Sequence, residues 1–417
     1  MQALILSGIR YLFVLGIVFI FLGSTSFLAL MGFAMGDENA GFLQRIHPSF
    51  YLCMPFICIM FLSLKNTNFK IIIPKILLNQ ESKSLSWRSF SIYALVVVLS
   101  IVFILFGITQ ASLMNTATTF LLPVICIIGL LKLKKGELLF LRNFVVYFLL
   151  FNSILGIIEN FTEYRMFPYM IGAIEKVADP RPTAWFSHPL NNALITTFIL
   201  IYYLYSKTTE NSLFIRYLSI FIHGLALTCF GGRTALIVLG FVLIFNYLRT
   251  LASTTLFGKE YKSFILQTVG AVLGIIIILY LHQFGIFDNI LGRFEDDGGS
   301  ADVRWGALDL IAGLDLSRIL FGVSDAQLDS LLVYYRLYTI EFSWLYIILK
   351  HGLLVGGAIL ISLCGMLYYL AKAIGKPVGF MGLAFIVITF GYTSIASANL
   401  GLAQLLLMIL LLKKISV

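Results

Sequence analysis

Apolar residues run along this chain in blocks too long for the interior of a soluble domain. Such blocks occupy residues 11–31, 48–64, 89–109, 119–131, 140–158, 189–206, 214–230, 234–250, 263–284, 352–371, 378–396 and 400–412. Most approach or exceed the ~17–20 residues that a helix needs to cross a hydrocarbon core. The pattern predicts an all-α polytopic membrane protein with twelve spanning helices, read as a single membrane domain over residues 1–417. Residues 1–31 resemble a signal peptide in layout, with Arg10 ahead of an apolar stretch. However, Tyr11–Met31 is longer than an h-region of ~7–15 residues, and no small-x-small cleavage site follows. A retained first span is therefore expected.

Composition fits this picture. Hydrophobic residues make up 60% and charged residues 12% of the 417, and the mean hydropathy is +0.97. A water-soluble exterior needs a larger polar share. The net charge of +9 follows topology and is no sign of a nucleic-acid partner. With twelve spans and an inside N-terminus, the inside segments carry 19 of the 29 Lys and Arg and four of the 20 acids. The outside segments carry the other ten basic and sixteen acidic residues. This is the asymmetry of the positive-inside rule. Residues 338–350 (YTIEFSWLYIILK) are apolar enough to suggest a thirteenth span. Crossing there would move Lys372, Lys376, Lys413 and Lys414 outside, so the segment is expected as an amphipathic or partly re-entrant helix on the outer surface.

Two long segments stand out on the outer face, 159–188 and 285–351, the second being the largest polar block and expected to hold short helices. Basic residues outside are mostly arginine, whereas lysine outnumbers arginine 14 to 5 inside. A planar guanidinium suits bidentate binding of phosphate or carboxylate better than an ammonium does. The cysteines (Cys53, Cys58, Cys126, Cys229 and Cys364) lie in apolar blocks without metal-ligand spacing and are read as small packed residues. Phosphate-loop, dinucleotide and zinc-hydrolase signatures are missing, and no carboxylate sits in mid-span. These absences argue against an ATP-driven pump, a zinc enzyme or an ion-coupled transporter.

Arg233 follows Gly231–Gly232 at the head of a span expected to start near Thr234. Two glycines allow a tight turn, and a helix N-terminus adds partial positive charge beside the guanidinium. The plain alternative is an arginine snorkelling to lipid phosphate. After Gly298–Gly299, Ser300 or Asp302 can cap a helix bearing Arg304, Leu308 and Ile311 on one face. Arg304 with Trp305 has the chemistry to clamp a phosphate and a sugar face, and a helix lying on the bilayer is the alternative. His188 precedes Pro189 at a helix start and is either interfacial or a substrate contact or base. His47, His223, His282 and His351 are read as helix-end or packed histidines.

Several of these segments recur in a known order. GGRTA opens a span at 231–235, R-W-x-A-L begins at Arg304, and LFGVS follows at 320–324. E-F-x-W-L-x-x-x-L-K-x-G-L-L-V-G then runs over 341–356, and HPLNNA stands at 188–193. Together they resemble the O-antigen ligase/polymerase superfamily over roughly residues 180–360. The resemblance implies a glycosyltransferase C-like fold acting on an undecaprenyl-diphosphate-linked glycan at the periplasmic face of the bacterial inner membrane, with both termini cytoplasmic. It implies that Arg233 and Arg304 hold the diphosphate; the need for cations to neutralise that departing group adds Arg181 and Arg165 as helpers. The ligase branch has a histidine-asparagine pair where this chain has Glu341–Phe342, which favours the repeat-unit polymerase branch. Glu341 is then the first choice as base and His188 the second, with no metal or cofactor required. Expected partners are the lipid-linked donor and acceptor, membrane lipids, and a chain-length regulator and flippase. The sister activity, ligation of polymer to a lipid A core, is the first alternative. A flippase or exporter of lipid-linked sugar is the second, and it should show repeated halves and charges within spans, neither of which is seen.

Overall fold

The computed structural model describes residues 2–34, 41–63, 80–168, 170–171, 174–175, 179–205, 213–257, 300–337, 340–391 and 399–412, with isolated positions at 265, 268, 283 and 292. Most of these residues are helical, and the strand pairing among them is a two-residue antiparallel one of β1 (Met170–Ile171) with β2 (Ile174–Glu175). Among the described residues, five helical stretches are long and apolar enough to cross a membrane: Trp87–Leu105, Leu113–Leu130, Lys135–Thr162, Arg233–Ala252 and Ser343–Ile374. Shorter apolar helices stand at Ser7–Leu22, Pro48–Met60, Phe214–Cys229, Lys376–Phe390 and Gly401–Leu412. The described residues are thus those of a helical membrane protein. The expected span at 263–284 lies, isolated positions aside, outside the described residues, as does most of 285–299.

Burial sorts the helices into two kinds. Helix α1 (Pro189–Tyr205) and helix α2 (Gly401–Leu412) are buried along almost their whole length. A helix apolar all round belongs in such a place. Gln404 meets its polar need there by donating from Nε2 to the Ile20 carbonyl at 3.0 Å. Around them, Gln80–Leu105, Leu213–Cys229 and Arg233–Phe257 keep one apolar face outward, with Ile92, Leu95, Phe214, Phe221, Ile237 and Phe241 exposed. An exposed apolar belt of this extent suits lipid and not water.

Two expected spans and the segment expected at 338–350 depart from a plain helix, each for a local reason. The first, at 11–31, breaks at Gly23–Ser24, with helices over Gln2–Leu22 and Thr25–Leu30. His47 packs against Gly23, donating from Nε2 to its carbonyl at 3.1 Å, and a Cβ on Gly23 would sit 2.6 Å from that ring. Ser24 then caps the new helix by accepting from the Phe27 N–H. The fourth, at 119–131, starts earlier, at Leu113, and contains a π turn over Ala117–Leu121. Pro123 explains the turn: it has no N–H for the Thr119 carbonyl, and its ring would crowd that carbonyl in an α-helix.

The third departure is the segment expected at 338–350. Its helix begins at Ser343 and runs on to Ile374 through one non-helical residue, Gly352 (φ 75, ψ 161). A Cβ on Gly356 would lie 2.9 Å from the Ile347 carbonyl, so 343–351 doubles back against 353–374. Trp344, Ile347, Leu349, Lys350 and His351 are buried. The segment is therefore folded back and does not lie flat on a surface, because its apolar residues find protein on both sides. Helices α3 (Ser300–Ala312), α4 (Leu316–Phe321) and α5 (Asp325–Tyr334) cover it with a second small core of Ala307, Leu310, Val323, Leu328, Ile340 and Leu349. The two glycines of this region interlock. A Cβ on Gly322 (φ 89) would strike the Lys350 carbonyl, and one on Gly352 would strike the Leu320 carbonyl. Val323 donates its N–H across the crossing to Leu349 at 2.8 Å.

Candidate functional site

The head of the helix Arg233–Phe257, here α6, anchors the site. Gly231 takes φ 64, a left-handed value that glycine adopts without strain. Gly232 packs so close to α1 that a Cβ would lie 2.6 Å from Ala193. Each glycine of the Gly-Gly-Arg turn thus has its own reason. Arg233 is the first helical residue, one position ahead of the expected start.

Arg304 reaches this point from α3. A Cβ on Gly391 would sit 3.4 Å from Arg304 Nη2, 3.7 Å from its Cζ and 3.8 Å from Thr234 Oγ1. Gly391 is the floor over which the guanidinium lies, and a Cβ there would sit in van der Waals contact with it. Arg304 Nη2 stands 3.7 Å from Glu341 Oε2, with the two side chains 35% and 26% exposed. At that separation the pair is electrostatic and is no tight hydrogen bond. Arg304 Nε is buried and has no acceptor among the described residues. The structure therefore brings together Arg304, Glu341 and the α6 head that carries Arg233 and Thr234. The arrangement offers two guanidinium-bearing positions and helix N–H dipoles for an oxyanion, with one partly exposed carboxylate beside them.

Trp305 does not join them. The buried side of α3 is Val303, Ala307 and Leu310, and Trp305 is 68% exposed. Adjacent helical positions point about 100° apart, so Arg304 and Trp305 diverge and form no clamp.

Arg181 and His188 form a neighbouring group around the start of α1. Arg181 is buried and binds Asp179 through Nε, at 2.9 and 3.1 Å, and through Nη2 at 2.6 Å. That fork is already engaged by a carboxylate, which sets Arg181 apart from Arg304. The segment is held by Glu159, a buried carboxylate that accepts from the N–H groups of Met166 (2.9 Å), Thr183 (2.9 Å) and Ala184 (2.7 Å). Arg165 adjoins the first of these contacts and is partly buried. Asn192 donates to the Thr183 and His188 carbonyls, and Asn152 links Asn192 to the Trp185 N–H. The second asparagine of HPLNNA, Asn192, is thus a pin for the loop. Its polar neighbours Glu159 and Asn152 sit near the end of an apolar block, where only burial reveals them.

His188 Nδ1 accepts from the Leu190 N–H at 3.2 Å. Burial, with the Arg181 charge beside it, holds the imidazole pKa down to about 3. The ring is neutral at pH 7 with its proton on Nε2, and its one lone pair is in use. It can donate a hydrogen bond to a ligand but is poorly placed to take a proton. No cluster of three or more His, Cys, Asp or Glu that could hold a metal occurs among the described residues. Comparison with family models finds none that matches the chain, and comparison with curated proteins finds no match.

Proposed function

We propose that the chain is a polymerase of undecaprenyl-diphosphate-linked oligosaccharide repeat units, working on the periplasmic side of a bacterial inner membrane. In this proposal twelve spans carry a glycosyltransferase C-like core, both termini are cytoplasmic, and 159–188 and 285–351 face outward. The observation that carries it is the pairing of Arg304 with Glu341 beside the head of α6.

The chemistry requires a hydroxyl oxygen of the incoming sugar to attack the anomeric carbon of the donor glycan. The bond from that carbon to the diphosphate oxygen breaks, and the hydroxyl proton moves to the Glu341 carboxylate. Arg304 and Arg233, with the N–H groups at the start of α6, would meet the charge that develops on the departing diphosphate. Until then the Arg304 guanidinium orients Glu341. His188, through its Nε2–H, would orient a sugar oxygen and is not the base.

The test is the banding of surface polysaccharide from a strain whose chromosomal copy carries Arg304→Ala. Single repeats on the core, at unchanged protein level, support the polymerase. Loss of every repeat moves the assignment to the ligase, and full-length polymer refutes both.

A further inference from the structure

A second polar recess stands at the far end of the 343–351 segment, about 10 Å along the helix axis from Ser343 at ~1.5 Å per residue. It is a small, partly open crevice, with about 20 Å³ of space for water-sized molecules, between the π-turn helix and the Gly352 bend, lined by Ser112, Asn115, Thr116, Thr119, Lys350 and His351 among others. Thr116, Thr119, Lys350 and His351 are all at least 95% buried. His351 Nε2 lies 3.5 Å from Thr116 Oγ1, while His351 Nδ1 and Thr119 Oγ1 have no hydrogen-bond partner among the described residues. A buried threonine in an α-helix normally turns its hydroxyl back onto a carbonyl of the preceding turn. Thr119 lies within the π turn, which alters that ladder, and its hydroxyl is left buried without a partner among the described residues at the wall of the crevice.

The lining is chemically one-sided. It holds an ammonium, hydroxyls, an amide and an imidazole, but no carboxylate. Such a set suits an oxyanion and not a cation. Its flanks are apolar and outward-facing: Leu105, Phe106 and Ile108 before it in one segment, and Leu353 and Leu354 after it in the other, are all exposed. Acyl chains can lie along such flanks while the phosphate oxygens of a headgroup meet the polar mouth of the crevice. We infer that the crevice between the π-turn helix and the Gly352 bend binds a phosphate oxyanion, brought there as the headgroup of a membrane phospholipid. The site is separate from the Arg304–Glu341 pair and does not rest on the proposed transfer reaction.

The experiment uses the full-length protein in detergent, with thermal unfolding as readout. The probes are dioleoyl phosphatidic acid, dioleoylglycerol (which lacks the phosphate) and inorganic phosphate. Phosphatidic acid should raise the midpoint by several degrees and dioleoylglycerol should not. Thr119→Val and Lys350→Met should each weaken the phosphatidic acid response at least ten-fold in concentration. Without ligand Thr119→Val should be as stable as the parent or more so, because a buried unpaired hydroxyl has been removed. This variant keeps the test open should Lys350→Met fail to fold. If inorganic phosphate at millimolar concentration gives the same Thr119-dependent shift, the oxyanion site stands and free phosphate is its source. A response to neither phosphate probe, or one that both variants keep in full, overturns the inference.

Discussion

Arg304 and Glu341 are 37 positions apart in sequence and 3.7 Å apart in space. Both were legible as candidates, one as an outer arginine in R-W-x-A-L and the other by its departure from the ligase pattern. Their pairing was not, since it depends on how α3 folds over the 343–351 segment. If the carboxylate takes the proton, Glu341→Gln should cut polymer formation at least ten-fold, since general-base help is typically ~10²–10⁴-fold. Glu341→Asp should retain part of it, and unchanged banding in Glu341→Gln would remove the residue from the reaction. Arg304→Lys keeps a charge but loses the planar fork, so it too should lower activity sharply at normal protein level. The histidines at the loops predict a different response. Burial holds His47 down to about 4 and His188 to about 3, so the folded protein stays unprotonated where the unfolded chain, near 6.5, takes up protons. Their contribution to stability is complete above pH ~6.5 and declines as pH falls toward 4, at a slope on the order of 1 kcal/mol per pH unit for each. Unfolding midpoints from pH 7.5 to 4.5 should show this acid limb. His188→Gln, with Nε2 as donor, should flatten it, and an equally steep limb would show that His188 is not held neutral.

At the scale of elements, hydropathy placed most helices to within a few residues but missed the breaks inside them. A moving average of apolarity passes through Gly23, the π turn and Gly352, since none of these interrupts the run of apolar neighbours. What breaks the helix is a ring against Gly23, a missing N–H at Pro123 and a backbone crossing at Gly352. The crossing also gives LFGVS and L-K-x-G-L-L-V-G a physical meaning. Gly322 and Gly352 each occupy positive φ, and each faces the other strand's carbonyl where a Cβ would go. Gly352→Ala should therefore cost about 1–3 kcal/mol for the positive-φ, extended conformation (φ 75, ψ 161) alone, with the backbone clash added. The expected outcome is loss of the monodisperse detergent-solubilised form, or a midpoint lower by several degrees. Gly357→Ala is the control, because a Cβ there meets nothing within 4 Å. Equal stability of the two variants would show that the bend adapts without its glycine.

For the whole molecule, the bend at Gly352 bears on which way the remaining helices cross. Residues 343–351 are nine positions, about 13 Å of helix, too short to span a ~30 Å core and folded back on their continuation. Residues 353–374 measure about 33 Å at the same rise and are long enough to cross alone. One crossing, not two, then separates α3 from the turn at Gly375, and the lysines at 372 and 376 stay on the side that the charge asymmetry assigns to them. Single cysteines test this in a background with the five native cysteines replaced, including the exposed Cys58. Tyr164→Cys and Asp329→Cys are exposed positions on the expected outer face, and Lys134→Cys and Lys376→Cys are exposed positions on the expected inner one. An impermeant maleimide should label the first two in intact spheroplasts and the last two only after lysis. Labelling of Lys376→Cys from outside, with Lys134→Cys still protected, would mean that 343–351 crosses after all. Glu341 precedes that segment and would keep its outer location, but the twelve-span count and the inner placement of the C-terminus would fail. Protection of Asp329→Cys in intact spheroplasts is the result that would remove Glu341 from the outer face together with the proposed reaction.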